Sequence, residues 1–306
     1  MLRSGQDQRA RRPVVRWPIM SSFAAIRTCL VMLVLAAGLP RAADAQGEST
    51  PPPPAAPAPA SQPDPDQQFQ PAEPDFTLAT LPTTLRVPSR KAVFRMTHRF
   101  TRAIASGDAG DFFADFFGLD SSARVGLELR YGLLPGTQVG IHRTNTRAIQ
   151  LFGQQDVWRS AGGVGVQALA AIEGADNFSE DFSGTIGAIV SKRFGTRGAV
   201  YVEPMGIFNS NPVDRPQEDD HTFLLGLGAR WRIGGTVYLF AEGAPRLAGY
   251  DAGVTHVSAG IEKRAGGHVF QFNVSNALGT TLRQIAQGGA TNDDWYIGFN
   301  LTRRFY

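Results

Sequence analysis

The chain has 306 residues, with 30 Lys+Arg against 27 Asp+Glu and a formal net charge of +3. No basic block interleaved with aromatics stands out, which argues against a nucleic-acid partner. The one cysteine, Cys29, lies in the first tenth of the chain, inside what reads as a leader, so neither disulfides nor cysteine-ligated metals are expected in the mature protein.

Residues 1–45 read as an export signal. Arg3, Arg9, Arg11, Arg12 and Arg16 form a basic start, Cys29 to Leu39 is almost wholly apolar, and Ala43-Asp44-Ala45 supplies a small-x-small cleavage site. Cleavage is expected after Ala45. The leader is long before its apolar core, which makes Met20 an alternative start to Met1. Cys29 precedes the apolar run, where a lipid-attachment cysteine would follow it. The Arg11-Arg12 pair is too far from that run to read as a twin-arginine signal.

Residues 46–83 read as a disordered periplasmic tail. Pro51-Pro52-Pro53-Pro54 and the Pro/Ala/Gln/Asp-rich run to Pro74 cannot build a core, and their Pro-rich part should be extended and semi-rigid. A spacer reaching toward the cell wall or a partner is the sharper alternative, although composition names no ligand.

From Thr84 to the end the pattern changes to alternation with period two, the signature of strands with one apolar and one polar face. Phe94, Met96 and Phe100 oppose Arg95, Thr97 and Arg99, with His98 on the apolar side. Val125, Leu127, Leu129 and Tyr131 oppose Arg124, Glu128 and Arg130. Further strands are expected over 138–145, 149–158, 163–173, 182–194 and 199–208. Pro204 weakens the last of these, because it cannot donate to a ladder. The clearest strand is 222–233, where Phe223, Leu225, Leu227, Ala229, Trp231 and Ile233 share a face opposite Arg230 and Arg232. Strands over 236–242, 254–264 and 268–276 follow, with Glu262 and Arg264 on the polar face of the second. The last segment sets Trp295, Ile297, Phe299 and Leu301 against Tyr296, Asn300, Thr302 and Arg304, and leaves Arg303 where an apolar residue is usual.

This makes about twelve strands, an even number. Short turns near 135, 160, 196, 234 and 266 alternate with longer loops, the link near 146 excepted. After the leader no apolar run of 18 or more residues occurs, so a membrane span must be a β-barrel, which leaves no backbone group unpaired. The fold class expected is all-β: a closed antiparallel transmembrane barrel of residues 84–306, with both termini on the periplasmic side of a Gram-negative outer membrane. A soluble sandwich would also alternate, but these strands are near ten residues, longer than the globular norm of about five or six.

Two resemblances sharpen this reading. A last strand carrying Phe299, Leu301, Phe305 and Tyr306 resembles the assembly signal of bacterial outer-membrane barrels, which implies the barrel-assembly machinery and outer-membrane lipids as partners. Phe116-Phe117-Gly118-Leu119-Asp120-Ser121, Arg130-Tyr131-Gly132-Leu133 and Gly140-Ile141-His142-Arg143-Thr144-Asn145 resemble a family of bacterial membrane-bound β-barrel proteins catalogued as a domain of unknown function, over roughly residues 80–306. The resemblance implies fold and location, and brings no catalytic residue, substrate or partner.

The residues expected to line the lumen are Arg95, Arg99, Arg124, Glu128, Arg130, Arg230, Arg232, Glu262, Arg264 and Arg304. Basic groups prevail, as in a pore whose fixed charge selects small anionic solutes. The alternative is a closed structural or binding barrel, its interior an Arg/Glu network and its outer loops holding a partner. An outer-membrane lipid hydrolase is the enzyme alternative. It needs Ser, His and an orienting group together at the lipid-facing surface, and none of His98, His142, His221, His256 and His268 sits in a nucleophile motif. No His/Asp/Glu cluster has metal-ligand spacing, and no cofactor is expected. Gly162-Gly163-Val164-Gly165 opens a strand and lacks a following Lys, unlike a phosphate loop. Asp111 to Gly118 pairs Phe112 with Phe116 and Phe113 with Phe117 at helical spacing, and reads as a segment at the membrane interface or, alternatively, a barrel plug. Oligomeric state is left open.

Overall fold

The computed structural model describes residues 69–107, 110, 121–212, 219–251 and 253–306. The leader, the tail up to residue 68 and the Phe-rich stretch 111–118 lie outside the described residues.

Twelve long strands run β1 (Ala92–Ala103), β2 (Ala123–Leu134), β3 (Thr137–Thr144), β4 (Ile149–Arg159), β5 (Val164–Ala175), β6 (Glu180–Arg193), β7 (Gly198–Phe208), β8 (Thr222–Gly234), β9 (Val237–Ala244), β11 (His256–Ala265), β12 (His268–Ser275) and β13 (Tyr296–Arg304). Each pairs antiparallel with the next long strand, and β13 pairs with β1, closing a barrel with no free edge. The short β10 (Arg246–Gly249) adds only to the start of β8, at one rim. One end of the barrel carries the tight turns at 135, 161, 196, 235 and 266, each with a glycine at positive φ: Gly136, Gly163, Gly195, Gly235 and Gly266. The other end carries the long connections after β1, β7, β9 and β12, together with two short links at 145–148 and 176–179. These are called the turn end and the loop end below.

The alternation read from sequence is the alternation of the wall. On β8, Phe223, Leu227 and Trp231 point outward while Leu224, Gly226 and Arg230 point inward. Outward apolar side chains remain open, with Leu129 48%, Trp231 45% and Ile233 55% exposed. A continuous apolar belt of this kind needs lipid against it, which separates a membrane barrel from a soluble sandwich. Pro204 acts as expected on one side only. Its missing N–H coincides with a gap in the β6–β7 ladder between Gly187↔Met205 and Val190↔Val202, while its β8 pairing to Leu225 is kept.

One expectation fails. Composition places residues 46–83 in a disordered tail and starts the domain at 84, yet Ala72 to Thr84 are buried inside the barrel. The chain enters from the turn end, climbs, reverses over Leu78-Ala79-Thr80-Leu81, and descends to join β1. The reversal is held by Leu78 N–H to Leu81 O (2.8 Å) and Thr83 N–H to Phe76 O (2.9 Å), with Thr77 bridged to Pro82. From the loop end, a one-turn helix α1 (Leu282–Ala286) folds inward, with the Thr281 hydroxyl accepting from Gln284 N–H (3.2 Å) as its N-cap. This buried hairpin, called the plug below, and the helix meet in one apolar cluster that includes Leu78, Leu81, Leu282 and Ile285. Each such side chain contributes about 1.5–3 kcal/mol on full burial.

Candidate functional site

The inward arginines bond to the plug. Arg95 donates to Ala79 O (2.6 Å) and Leu78 O (3.3 Å). Arg230 donates to Thr77 O (2.6 Å) and Asp75 O (3.0 Å), and its guanidinium also pairs with Glu262. Arg304 donates to Pro74 O, and the Thr302 hydroxyl donates to the Asp75 carboxylate (2.9 Å). These side chains replace the ladder partners that the plug's carbonyls lack.

The plug's N–H groups are met in the same way. Glu242 accepts from Thr80 N–H (3.0 Å) and Leu81 N–H (3.0 Å), capping the tip of the reversal. Gln138 accepts from Val87 N–H (3.0 Å) and donates to Leu85 O (3.2 Å). Thr84 Oγ1 lies 2.5 Å from Ser191 Oγ, and Tyr201 donates to Glu73 (3.1 Å). Alternation alone finds these wall residues. Their partners carry no signal in sequence, because a plug has no period.

The remaining lumen candidates divide by height. Glu128 and Arg130 are buried and paired with each other, Arg130 also donating to Gln154 (2.9 Å). Arg99, near the loop end, donates to Ala277 O (2.7 Å) and Gly279 O (2.8 Å), fixing the segment before α1. Arg124 is exposed at the loop-end rim, while Arg232 and Arg264 are half-buried near the turn end. The Arg264 guanidinium stacks 3.6 Å from the Phe69 ring, where the plug enters. In the last strand, Phe299 and Leu301 face outward, Phe305 is exposed, and Tyr306 packs against Phe76, Leu85 and Val87 of the plug.

Above α1 the loop end holds a cavity of about 500 Å³, lined among the described residues by Arg124, Glu173, Asp181, Arg283, Gln284 and Gln287. Glu173 and Arg283 are both buried, and Arg283 donates to Asp181 O (3.0 Å). Among the described residues the histidines form no relay. His256 Nε2 lies 3.2 Å from Glu242 and 3.3 Å from Ser258 Oγ, so one nitrogen faces both the acid and the hydroxyl. A nucleophilic triad needs the two ring nitrogens to divide those roles. All three residues are also buried in the interior, away from the lipid-facing surface. His98 faces outward, stacked on Phe299 with ring centroids 4.7 Å apart. Among the described residues no group of His, Cys, Asp and Glu could hold a metal ion.

Closed wall, apolar belt and filled interior together define a membrane-bound β-barrel with a plugged lumen. The chain belongs to the membrane bound beta barrel domain family, DUF5777, whose model matches residues 75–305 and so takes in most of the plug. No curated protein matches it. Among solved structures it is similar to the NanC porin, at 7% identity and a TM-score of 0.47 over 71% of this chain and 99% of that one. It is also similar to the outer membrane phospholipase A from Escherichia coli, at 14% identity and a TM-score of 0.39 over 70% and 90% of the two chains. A triple mutant of the Rhodopseudomonas blastica porin follows at 13% and 0.31, over 60% and 55%. None of these likenesses bears on function.

Proposed function

We propose that the protein is a gated barrel of the outer membrane, closed at rest, that passes small polar solutes when its plug is displaced. The turn end and both termini face the periplasm in this reading, and the loop end faces outward. The observation that carries it is the bonding of Arg95, Arg230 and Arg304 to the plug's backbone carbonyls. A permanently dry interior is better served by apolar packing than by buried ions, whose desolvation often outweighs their attraction. Hydrogen bonds to a removable segment are different. Water replaces each of these charge-assisted bonds at a net cost of about 1.5–3 kcal/mol, and the lumen left behind is polar and basic.

A second reading, a closed barrel that binds a ligand at its outer loops, is favoured by the loop-end cavity of about 500 Å³. Planar-bilayer recording separates the two. In a Cys29→Ser background, Thr84→Cys with Ser191→Cys joins plug to wall where the two hydroxyls now touch. The gated reading expects the oxidised protein to be silent and the reduced protein to open intermittently. Steady conductance from the oxidised form would overturn the plug as a gate. Silence from folded barrels in both forms would leave the binding barrel.

A further inference from the structure

Arg303 is the one charge that breaks the apolar face of the last strand, and the interior gives it no task. It points outward near the turn end, and its Nη1 lies 3.1 Å from His268 Nδ1 on β12. Arg303 pairs across the ladder with His268. One step toward the membrane centre, Lys263 of β11 pairs with Phe270, which pairs with Leu301. Three adjacent strands thus bring Lys263, His268 and Arg303 to one patch of the outer wall. Neither Lys263 nor Arg303 forms an ion pair with a carboxylate among the described residues.

Toward the membrane centre from this patch, the lipid-facing wall carries a shallow, open depression. This groove of about 540 Å³ is lined by Ile261, Lys263, Phe270, Phe272, Phe299 and Leu301, so Lys263 belongs to both features. Cations near the edge of an apolar belt commonly snorkel toward headgroups, each on its own. Here an imidazole and two cations, neither with a carboxylate partner among the described residues, lie on neighbouring strands beside that depression. We infer that this surface is a binding site for one anionic phospholipid of the leaflet at the turn end. Its phosphate sits between Arg303, His268 and Lys263, and one acyl chain lies in the groove against Phe270, Phe272 and Phe299. A guanidinium offers paired donors to phosphate oxygens and the ammonium adds a point charge, which favours a headgroup of net negative charge over a zwitterionic one. The site depends only on the wall spanning a membrane, and stands or falls independently of the gate.

The test uses the full chain folded into phosphatidylcholine vesicles, with and without phosphatidylglycerol, following loss of the folded band on heating. Phosphatidylglycerol is expected to raise the melting temperature of the parent. Lys263→Gln with Arg303→Gln should abolish that rise and leave the midpoint in pure phosphatidylcholine unchanged. Lys192→Gln, at an outward lysine that bonds Gly162 O elsewhere on the wall, should retain it. Mass spectrometry of detergent-extracted barrels should find phosphatidylglycerol retained by the parent and by the Lys263→Arg, Arg303→Lys variant, which also serves if the glutamine pair fails to fold. An equal rise in parent and glutamine variant, or its equal loss in Lys192→Gln, would overturn the site. So would amine cross-linking through Lys263 that yields dimers in vesicles, which gives the groove to a second copy of the chain.

Discussion

The wall and the plug lie side by side, yet they are built on opposite terms. The wall satisfies its backbone by itself, strand to strand, and repeats one rule around a closed ring. The plug from Ala72 to Val87 makes few backbone bonds of its own, and borrows the rest from Arg95, Arg230, Gln138 and Glu242 of the wall. The plug's order is therefore conditional on the wall, while the wall's order is local. The gate proposed above rests on this difference, since a segment with few backbone bonds of its own can leave without breaking the wall's ladder.

The largest expected break in this comparison is deletion of residues 69–87. The wall should still close and insert, judged by heat-modifiable migration, and bilayer recording should show stable conductance steps absent from the parent. A barrel that no longer folds would mean that wall and plug are one unit. Next is Arg230→Ala, which strands Glu262 and two plug carbonyls, with an expected loss of about 3–5 kcal/mol in denaturant titration. In the plug-deleted protein the loss should shrink, since Glu262 is then hydrated.

Leu129→Arg touches the wall alone. A cation on the lipid face is expected to cost about 2–4 kcal/mol near the midplane, equally with and without the plug. The smallest effect is at Gly228, whose inward face is filled by Leu78 of the plug: a Cβ there would overlap the Leu78 Cδ1. Gly228→Ala should cost about 1–3 kcal/mol by overpacking and become nearly neutral once residues 69–87 are gone. An unchanged cost in the deletion would place the clash within the wall.

Much of this was legible because a strand has period two. The faces of Arg95, Glu128, Arg130, Arg230 and Glu262 follow from counting, and so does the oddity of Arg303. What those side chains meet was not legible. Arginines on a polar face look the same whether they face water, one another or a buried peptide. The plug sequence Phe76-Thr77-Leu78-Ala79-Thr80-Leu81-Pro82 has too short a run for a strand pattern and follows a Pro-rich stretch, so it merged with the tail. Its one local hint is a cluster of apolar residues, Phe76, Leu78, Leu81, Leu85 and Val87, that a solvated linker would not keep.

The sequence by itself determined the all-β wall, the strand ends to within a few residues, and the side of the wall most strand residues occupy, the bulged end of β4 at Val157 and Trp158 excepted. These depend on local alternation and turn chemistry, which one stretch of chain specifies alone. Only the tertiary structure decided that the lumen is filled, that the arginines are committed to a hairpin entering from the turn end, and that Lys263, His268 and Arg303 share a patch. Those facts join residues such as Pro74 and Arg304, which are distant along the chain, and only the closed ring puts them in contact.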